Sequence, residues 1–219
     1  MRHLATGLAA LAVCLILLPA SGDGWMETAS AGTSTAGGSG EIEALLLVCN
    51  AYGANYNLVR DVMELYGWNL TTAGVTASVP PCFYGGPIIV DTLVSEIADV
   101  SQYDALVVMP ARSANGHQQL IDSPEALALV ADAAAQGVLV VAFCSGTRVL
   151  AFADVIDGVE VTGHPDYLQD YLDAGAVWAG DGVPPHLDGN ILTTRRGQYY
   201  SPQVCDVMRT AIDSLRAAR

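Results

Sequence analysis

The sequence predicts one α/β domain in which helices cover both faces of a mostly parallel sheet. Short, almost continuously apolar runs alternate with segments of helical character, which is typical of strands buried on both sides. The chain has 219 residues, of which 52% are hydrophobic, so it is long enough for one such domain with an additional N-terminal piece. Three of the apolar runs are "IEALLLVC" at 42–49, "DALVVMP" at 104–110 and "VLVVAF" at 138–143.

The first half of the domain begins with the strand at 42–49. Asn57 is a candidate cap for a helix over 58–66 that stops at Gly67. A second strand follows at 69–75. The next stretch, 76–87, is rich in proline and glycine and predicts no regular element, and 88–97 predicts a short strand followed by a turn of helix.

The second half carries the clearest helix signal in the chain. Ser123 is expected to cap a helix in which Pro124 takes the first position and Gly137 lies past the end. After the strand at 138–143 a helix begins near Ser145. Three strand-like stretches and a final helix over 202–217 complete the domain, and the segment around His186 predicts a turn before the last strand.

The N-terminus has the pattern of an export signal. Residues 1–22 place Arg2 and His3 before an uncharged apolar run that ends in small residues suited to cleavage. Residues 23–40 are rich in Gly, Ser, Thr and Ala and predict a flexible linker, which leaves 41–219 as the folded domain. We therefore expect a secreted or extracytoplasmic protein, with retention by an uncleaved N-terminal anchor as the alternative.

The charge of the chain limits its partners. It carries 23 acidic residues against 9 basic ones, and every basic residue is an arginine. An acidic surface repels nucleic acid and anionic membranes, so no nucleic-acid partner is expected, and contact with a membrane is expected only through the N-terminal segment. The cysteines and histidines lack zinc-binding spacing, so we expect no metal and no cofactor.

Cys144 is the leading candidate for chemistry. In "VVAFCSGTRVL" it follows a buried strand and opens a helix, and Gly146 stands where a sharp turn needs a residue without Cβ. A helix N-terminus favours a thiolate, which predicts a reactive cysteine. The alternative is a structural cysteine, because free cysteine is among the most buried residue types.

Loops after parallel strands meet at one edge of the sheet, so other residues are expected beside Cys144. His164 in "VTGHPDY" is a candidate base, which Asp166 would orient or charge. The backbone N–H groups of Ser145, Ala111 and Arg112 are candidates for an oxyanion site.

The motifs "DALVVMP", "VVAFCSGTRVLA", "VTGHP" and "LDGNILTTR", in this order, resemble those of the DJ-1/PfpI family of the class I glutamine amidotransferase-like superfamily. The resemblance covers about residues 42–215. It implies a flavodoxin-like three-layer sandwich, frequent homodimers, and a nucleophilic or redox-active cysteine, here Cys144, with a nearby histidine, here His164.

Three positions depart from the family pattern. The loop "NAYGANYN" after the first strand has no glutamate, which argues against glyoxalase or deglycase activity. Ala111 and Arg112 replace the usual pair of glycines. Ser145 stands where the protease-like members carry histidine, which argues against a peptidase.

The sequence supports two functions. The first is a cysteine-dependent enzyme that acts on a small molecule, for example in ester or amide hydrolysis, with Asn55 and Tyr56 as candidate substrate contacts. The second is a non-enzymatic binding or redox-sensing domain that keeps the fold and the cysteine. Other polar residues predict nothing specific: His117 and His186 lack support, and Arg195 with Arg196 is expected to end a strand at the surface.

Overall fold

A computed structural model describes residues 41–81, 85–112, 116–195 and 197–219. The predicted export signal at 1–22 and the linker at 23–40 lie outside the described residues, as does Cys82. Within the described part of the chain, no helix combines the length and the apolar character needed to cross a membrane.

Seven strands form the central sheet, in the order β10-β11-β7-β6-β1-β2-β5. All neighbours are parallel except the edge pair β10–β11, which is antiparallel. Two further pairs of strands lie outside this sheet: β3 and β4 are antiparallel, and β8 and β9 are parallel. The strands are β1 (Glu43–Leu47), β2 (Asn69–Gly74), β3 (Ser78–Val79), β4 (Ile88–Ile89), β5 (Thr92–Leu93), β6 (Ala105–Val108), β7 (Leu139–Phe143), β8 (Glu160–Val161), β9 (Val177–Trp178), β10 (His186–Asp188) and β11 (Ile191–Thr194).

Six α-helices connect or cover these strands. They are α1 (Ala54–Leu65), α2 (Gln118–Ile121), α3 (Pro124–Ala135), α4 (Thr147–Phe152), α5 (Leu168–Asp173) and α6 (Gly197–Ala218). Short 3₁₀ turns stand at 94–96, 100–102, 144–146 and 165–167.

Alternate residues of the central strands face two separate apolar layers. Leu45 and Leu106 pack with buried residues of α3, α4 and α5, whereas Leu46 and Val107 pack with those of α1 and α6. The continuous apolar runs of the sequence have this cause, because both faces of β1, β6 and β7 are covered. The predicted three-layer α/β fold with a mostly parallel sheet is confirmed.

Helix α3 has the predicted start. The Ser123 hydroxyl accepts a hydrogen bond from the N–H of Ala126 at 3.2 Å, and Pro124 takes the first helical position. Gly137 follows the helix with a φ of 71°, a left-handed conformation that glycine adopts at little cost. Local signals decide the ends of this helix.

The starts of two other helices were predicted too late. Helix α1 begins at Ala54 after an extended Gly53, so Asn57 lies inside the helix and does not cap it. Helix α6 begins at Gly197, and Pro202 lies within it. Proline is favoured in the first turn of a helix, but inside a helix it removes one hydrogen bond and its ring clashes with the preceding turn, at a cost of about 3 kcal/mol. Helix α6 keeps its course because buried residues such as Val204 and Met208 pack in the apolar layer that it shares with α1 and the sheet.

Two loop predictions were also wrong. The stretch predicted to lack regular structure contains β3, which pairs with β4 so that Ser78 faces Ile89 and Val79 faces Ile88. The segment around His186, predicted as a turn, forms the edge strand β10. Pairing with a neighbouring strand decides such short elements, and sequence periodicity does not reveal it.

Candidate active site around Cys144

The carboxyl ends of β1, β6, β7 and β11 meet at one edge of the central sheet. The chain leaves this edge through Asn50 after β1, Ala111 after β6, Cys144 after β7 and Arg195 after β11. Ligands of open α/β sheets bind at this edge. Cys144 therefore stands where the fold places a site.

Cys144 occupies a sharp joint between β7 and the 3₁₀ turn at 144–146. Its φ of 57° is left-handed, which an L side chain rarely adopts, and its side chain is partly exposed although the strand before it is buried. Gly146 makes the turn possible, because a Cβ there would lie 3.1 Å from Cγ1 and 3.3 Å from the carbonyl oxygen of Val108. The strand-turn-helix joint predicted at Cys144 is present, and residues 143–147 that form it are termed the elbow.

Arg195 contacts the Cys144 sulfur. Its Nη1 donates to Sγ at 3.1 Å, and its Nε donates to Oδ1 of Asp181 at 2.5 Å. Arg195 stands at the end of strand β11 as predicted, but its side chain is only 12% exposed, so the expectation that it lies at the surface was wrong. Arg196 lies outside the described residues. Arg195 directly follows β11, and its guanidinium points toward Cys144. The Cys144 sulfur and the Asp181 carboxylate both accept hydrogen bonds from it.

The neighbours of Arg195 stabilise its positive charge. Burial alone would lower the pKa of Arg195, but the Asp181 carboxylate and the Cys144 sulfur raise it above its usual value. The guanidinium is therefore always charged, and a hydrogen bond from a charged donor favours a thiolate over a thiol.

His164 is joined to the elbow through its main chain. Its N–H donates to the carbonyl oxygen of Cys144 at 3.2 Å, and its own carbonyl accepts from the Tyr171 hydroxyl at 3.2 Å. The ring nitrogen Nδ1 accepts from the N–H of Asp166 at 3.3 Å and lies 3.6 Å from the Asp166 carboxylate. The imidazole of His164 and the carboxylate of Asp166, which were predicted to work together, are thus neighbours in the structure.

The glycine before His164 keeps this segment close to the elbow helix. A Cβ on Gly163 would lie 2.8 Å from the Tyr171 hydroxyl oxygen and 3.0 Å from Oγ1 of Thr147. Burial, followed by the negative charge of Cys144, raises the pKa of Tyr171, so its hydroxyl stays protonated and can donate to His164.

The three predicted oxyanion residues occupy different positions. Ser145 is buried directly after Cys144, where the residue following a nucleophile in such an elbow supplies an N–H. Ala111 pairs with Tyr52 in a bridge between the loops after β6 and β1. The N–H of Arg112 donates to the carbonyl oxygen of Ala51 at 3.0 Å, and this bond competes with the oxyanion role predicted for Arg112.

The predicted substrate contacts lie at the start of α1. Asn55 is partly exposed, whereas Tyr56 is 4% exposed and packs edge to face on Tyr52 with ring centroids 5.3 Å apart. Tyr56 thus belongs to the apolar layer of α1 and α6, and little of its surface can touch a ligand.

The other described cysteines have a different environment. Cys49 and Cys205 are buried free thiols. Burial raises the pKa of Cys49, and it raises the pKa of Cys205 to about 12. A raised pKa disfavours the thiolate, so we expect neither to be a nucleophile at neutral pH. Among the described residues, no group of three or more His, Cys, Asp or Glu side chains could hold a metal ion.

Two residues of the site, Arg195 and Asp181, were not predicted from the sequence. The signal for Arg195 was its place directly after "ILTT", because the residue that follows a parallel strand lies at the same edge as Cys144. Asp181 stands between Gly180 and Gly182 in a loop without periodicity, so no sequence signal singles it out.

Solved structures with similar folds share this architecture. A two-domain protein from Anabaena variabilis with DJ-1/ThiJ/PfpI-like and ferritin-like domains has a TM-score of 0.68 and 21% identity over 76% of this chain. This chain spans about half, 49%, of that protein. Drosophila melanogaster DJ-1β has a TM-score of 0.68 and 19% identity, with 81% of this chain and 97% of that one covered.

A third similar structure is oxidised Toxoplasma gondii DJ-1, with a TM-score of 0.63 and 18% identity over 81% of this chain and 97% of that one. At these identities the likeness shows the fold. No curated protein matches the sequence significantly. The sequence profile described as the DJ-1/PfpI family, however, matches residues 44–206, which include Cys144, His164 and Arg195. The chain therefore belongs to the DJ-1/PfpI family.

Proposed function

We propose that this protein is a cysteine-dependent enzyme that acts on a small carbonyl compound, with Cys144 as the nucleophile. The observation that carries the proposal is the hydrogen bond of 3.1 Å from the Arg195 guanidinium to Sγ. The thiolate is the nucleophilic form of cysteine, and a largely buried cation that donates to sulfur stabilises that form. The elbow presents the sulfur outside the sheet, where a substrate can reach it.

The substrate class that fits best is an ester or amide, because the described residues offer a nucleophile, a donor to the oxyanion and a proton donor for its hydrolysis. The Cys144 thiolate attacks the carbonyl carbon, and the electron pair of the C=O bond moves to oxygen, near the N–H of Ser145. The C–O or C–N bond then breaks, and His164 in its charged form gives a proton to the leaving alcohol or amine. A water molecule then attacks the thioester carbonyl and gives one proton to His164, which the first step left neutral; the C–S bond breaks, and the acid and the Cys144 thiolate are released.

A redox-responsive role is the second candidate, and Arg195 also favours it. A peroxide oxidises the thiolate to a sulfenate and is itself reduced to water; a second equivalent gives a sulfinate. The guanidinium that donates to sulfur would donate equally well to sulfinate oxygens. One of the similar structures, Toxoplasma gondii DJ-1, is of an oxidised protein.

The first experiment measures alkylation of Cys144 in the full chain. Trypsin cuts only after arginine here, because the chain has no lysine, and peptide 113–148 contains Cys144 as its only cysteine. We expect the rate of iodoacetamide labelling of this peptide to rise with pH with a midpoint below about 8.5, the value of a free thiol. Cys205, in peptide 197–209, is the internal control and stays unlabelled at neutral pH because burial raises its pKa to about 12.

The second experiment separates the two functions. Esters, anilides and α-oxoaldehydes are tested as substrates of the full chain and of Cys144→Ser. Turnover that Cys144→Ser lacks supports the enzyme. No turnover, together with a peroxide-dependent gain of two oxygen atoms on peptide 113–148, supports the redox role. If Cys144 is labelled only after denaturation, both functions are excluded.

We also propose that the protein is exported through residues 1–22. The support is the pattern of a basic start, an apolar run and small residues around Ala20. N-terminal sequencing of the protein recovered from the extracytoplasmic fraction tests this: a new N-terminus near Ser21 is expected. An intact N-terminus in the membrane fraction would indicate an anchor instead, and recovery from the cytoplasm alone would refute export.

A further inference from the structure

The side chain that holds Arg195 lies in a separate loop. Asp181 stands between Gly180 and Gly182, which have φ values of 116° and 78°, after strand β9. Its carboxylate accepts from Nε of Arg195 at 2.5 Å, and its side chain is 53% exposed. It therefore approaches Arg195 from the solvent side, while Cys144 contacts the same guanidinium at Nη1.

The two contacts of Arg195 do not compete. A guanidinium is planar and rigid, and its N–H groups point in fixed, different directions. With Nε held by Asp181, the direction of Nη1 is fixed as well. In the present geometry that direction leads to Sγ of Cys144 at 3.1 Å. A long arginine side chain without such a hold would spread over several rotamers.

One buried residue connects the segments that carry these three side chains. Thr162 is fully buried, and its N–H donates to Oγ1 of Thr193, on the strand before Arg195, at 2.9 Å. Its hydroxyl donates to the carbonyl oxygen of Gly180, beside Asp181, at 2.7 Å. Its carbonyl accepts at 3.0 Å from the hydroxyl of Thr147, at the start of α4 behind Cys144. The loop, the strand and the elbow helix are thus fixed relative to one another.

We propose that Asp181 is a positioning residue that directs Arg195 at Cys144 and thereby sets the reactivity of the thiol. The inference rests on the proposed role of Cys144 as a thiolate. Asp181 acts through Arg195, which donates both to its carboxylate and to the Cys144 sulfur. Besides Arg195, the titratable groups around Cys144 include His164, Tyr167 in the 3₁₀ turn at 165–167, and Tyr171 in α5.

Two effects of Asp181 have opposite signs, and variants can separate them. The negative charge of the carboxylate repels a thiolate, whereas its hold on Arg195 brings a positive charge to it. Asp181 is half exposed, so water screens its charge, and we expect positioning to dominate. Asp181→Ala removes both effects. Asp181→Asn removes the charge and keeps an oxygen that can accept from Nε.

The test compares the pH profile of alkylation of peptide 113–148 in the full chain and its variants. For Asp181→Ala we expect a higher pH midpoint of labelling and, at pH 7, a labelling rate lower by about five- to tenfold. A decrease of this size is most of what the loss of one charged hydrogen bond to the thiolate would cause. Asp181→Asn is expected to stay within about twofold of the original chain. Asp61→Ala, which removes an exposed aspartate from α1, is the matched control and keeps the original profile.

Each outcome has a distinct meaning. If both Asp181 variants lower the midpoint, the charge dominates and the inference is wrong. It is equally wrong if Asp181→Ala leaves the profile unchanged while the original chain is labelled readily. If the original chain itself has no reactive Cys144, the proposed function fails and not the positioning role alone. Because Asp181 is half exposed, all three variants are expected to keep the original circular dichroism spectrum and thermal midpoint.

Discussion

Cys144 adopts a backbone conformation that costs energy. A non-glycine residue in the left-handed region is destabilised by about 1 kcal/mol or more relative to glycine. The carbonyl of Cys144 accepts from His164, and Gly146 packs against Val108, so neighbouring segments hold the strained turn in place. The benefit is direction, because the turn carries the sulfur out of the sheet and toward Arg195.

This strain gives a prediction for a matched pair of variants. Cys144→Gly and Cys144→Ala both remove the sulfur, but only glycine adopts a φ of 57° without strain. We expect Cys144→Gly to have the higher free energy of unfolding, by about 1 kcal/mol, although glycine is normally the less stable choice. Urea denaturation of the two full-length variants measures the difference, and a more stable alanine variant would show that the turn is not strained.

The sequence predicted some residues of the site and not others. Cys144 and His164 were recognisable because each belongs to a local motif at the end of a strand. The inward turn of Arg195 was not, since it depends on Asp181, which is distant in sequence and lies in a loop without a pattern. The family pattern suggested a glutamate beside the cysteine, and here an arginine contacts the sulfur.

At the scale of elements, burial made the strands predictable and tertiary contacts set the ends of the helices. Strands β1, β6 and β7 are recognisable in the sequence as continuous apolar runs, because helices cover both of their faces. Helix α3 has its own capping residues and was predicted closely. Helices α1 and α6 start earlier than any local signal indicates, and the short strands β3 and β10, which were not predicted, form by pairing with their neighbours.

His117 connects the end of β6 to the elbow. It is buried at the start of α2, its Nε2 pairs with the carbonyl oxygen of Met109 at 3.0 Å, and a Cβ on Gly146 would lie 3.6 Å from the same nitrogen. Burial lowers the pKa of His117 from 6.5 to about 4. The folded protein therefore keeps this imidazole neutral.

The neutral His117 makes stability depend on pH. The unfolded chain binds a proton near pH 6.5 and the folded chain only near pH 4, so stability falls as the pH drops through this window, by about 3 kcal/mol at its lower end. His117→Gln has no proton to bind. We expect the difference in free energy of unfolding between the original chain and His117→Gln to change by this amount between pH 7 and 4, and a constant difference would contradict the assignment.

At the scale of the whole molecule, helix α6 runs from the edge of the central sheet that carries the site to the opposite edge, where the parallel strands begin. It starts two residues after Arg195, at the site, and near its other end Arg216 binds Asp104 ahead of β6 with two hydrogen bonds of 2.8 and 2.6 Å. Arg216 also donates to the carbonyl oxygen of Glu41 at 3.0 Å, and Asp104 accepts from the N–H of Glu43 at 2.9 Å. One ion pair thus fastens the last helix to the beginning of β1.

Replacing Arg216 by lysine tests this connection. Lysine keeps the charge but cannot make the two parallel hydrogen bonds of a guanidinium. Because the Asp104 side chain is only 12% exposed, we expect Arg216→Lys to lower the free energy of unfolding by about 1 to 2 kcal/mol in urea denaturation. Arg60→Lys, at an exposed pair within α1, is the control and should change stability by less than about 0.5 kcal/mol.

The net charge of −14 remains the main guide to partners. It supports the expectation of a small-molecule ligand over nucleic acid. The homodimer implied by the family stays a prediction, and so do the export signal and the linker.

The small sheet of β8 and β9 has a consequence for when the thiol is reactive. It consists of two residues from each strand, and Thr162 and Asp181 follow these strands closely. Such a unit can open at a lower free energy than the seven-stranded sheet, which buries far more apolar surface. Warming would then release Arg195 from its carboxylate while the rest of the protein stays folded. Hydrogen exchange of the β8 and β9 amides, and not the melting temperature, would report how long Cys144 keeps its charged partner.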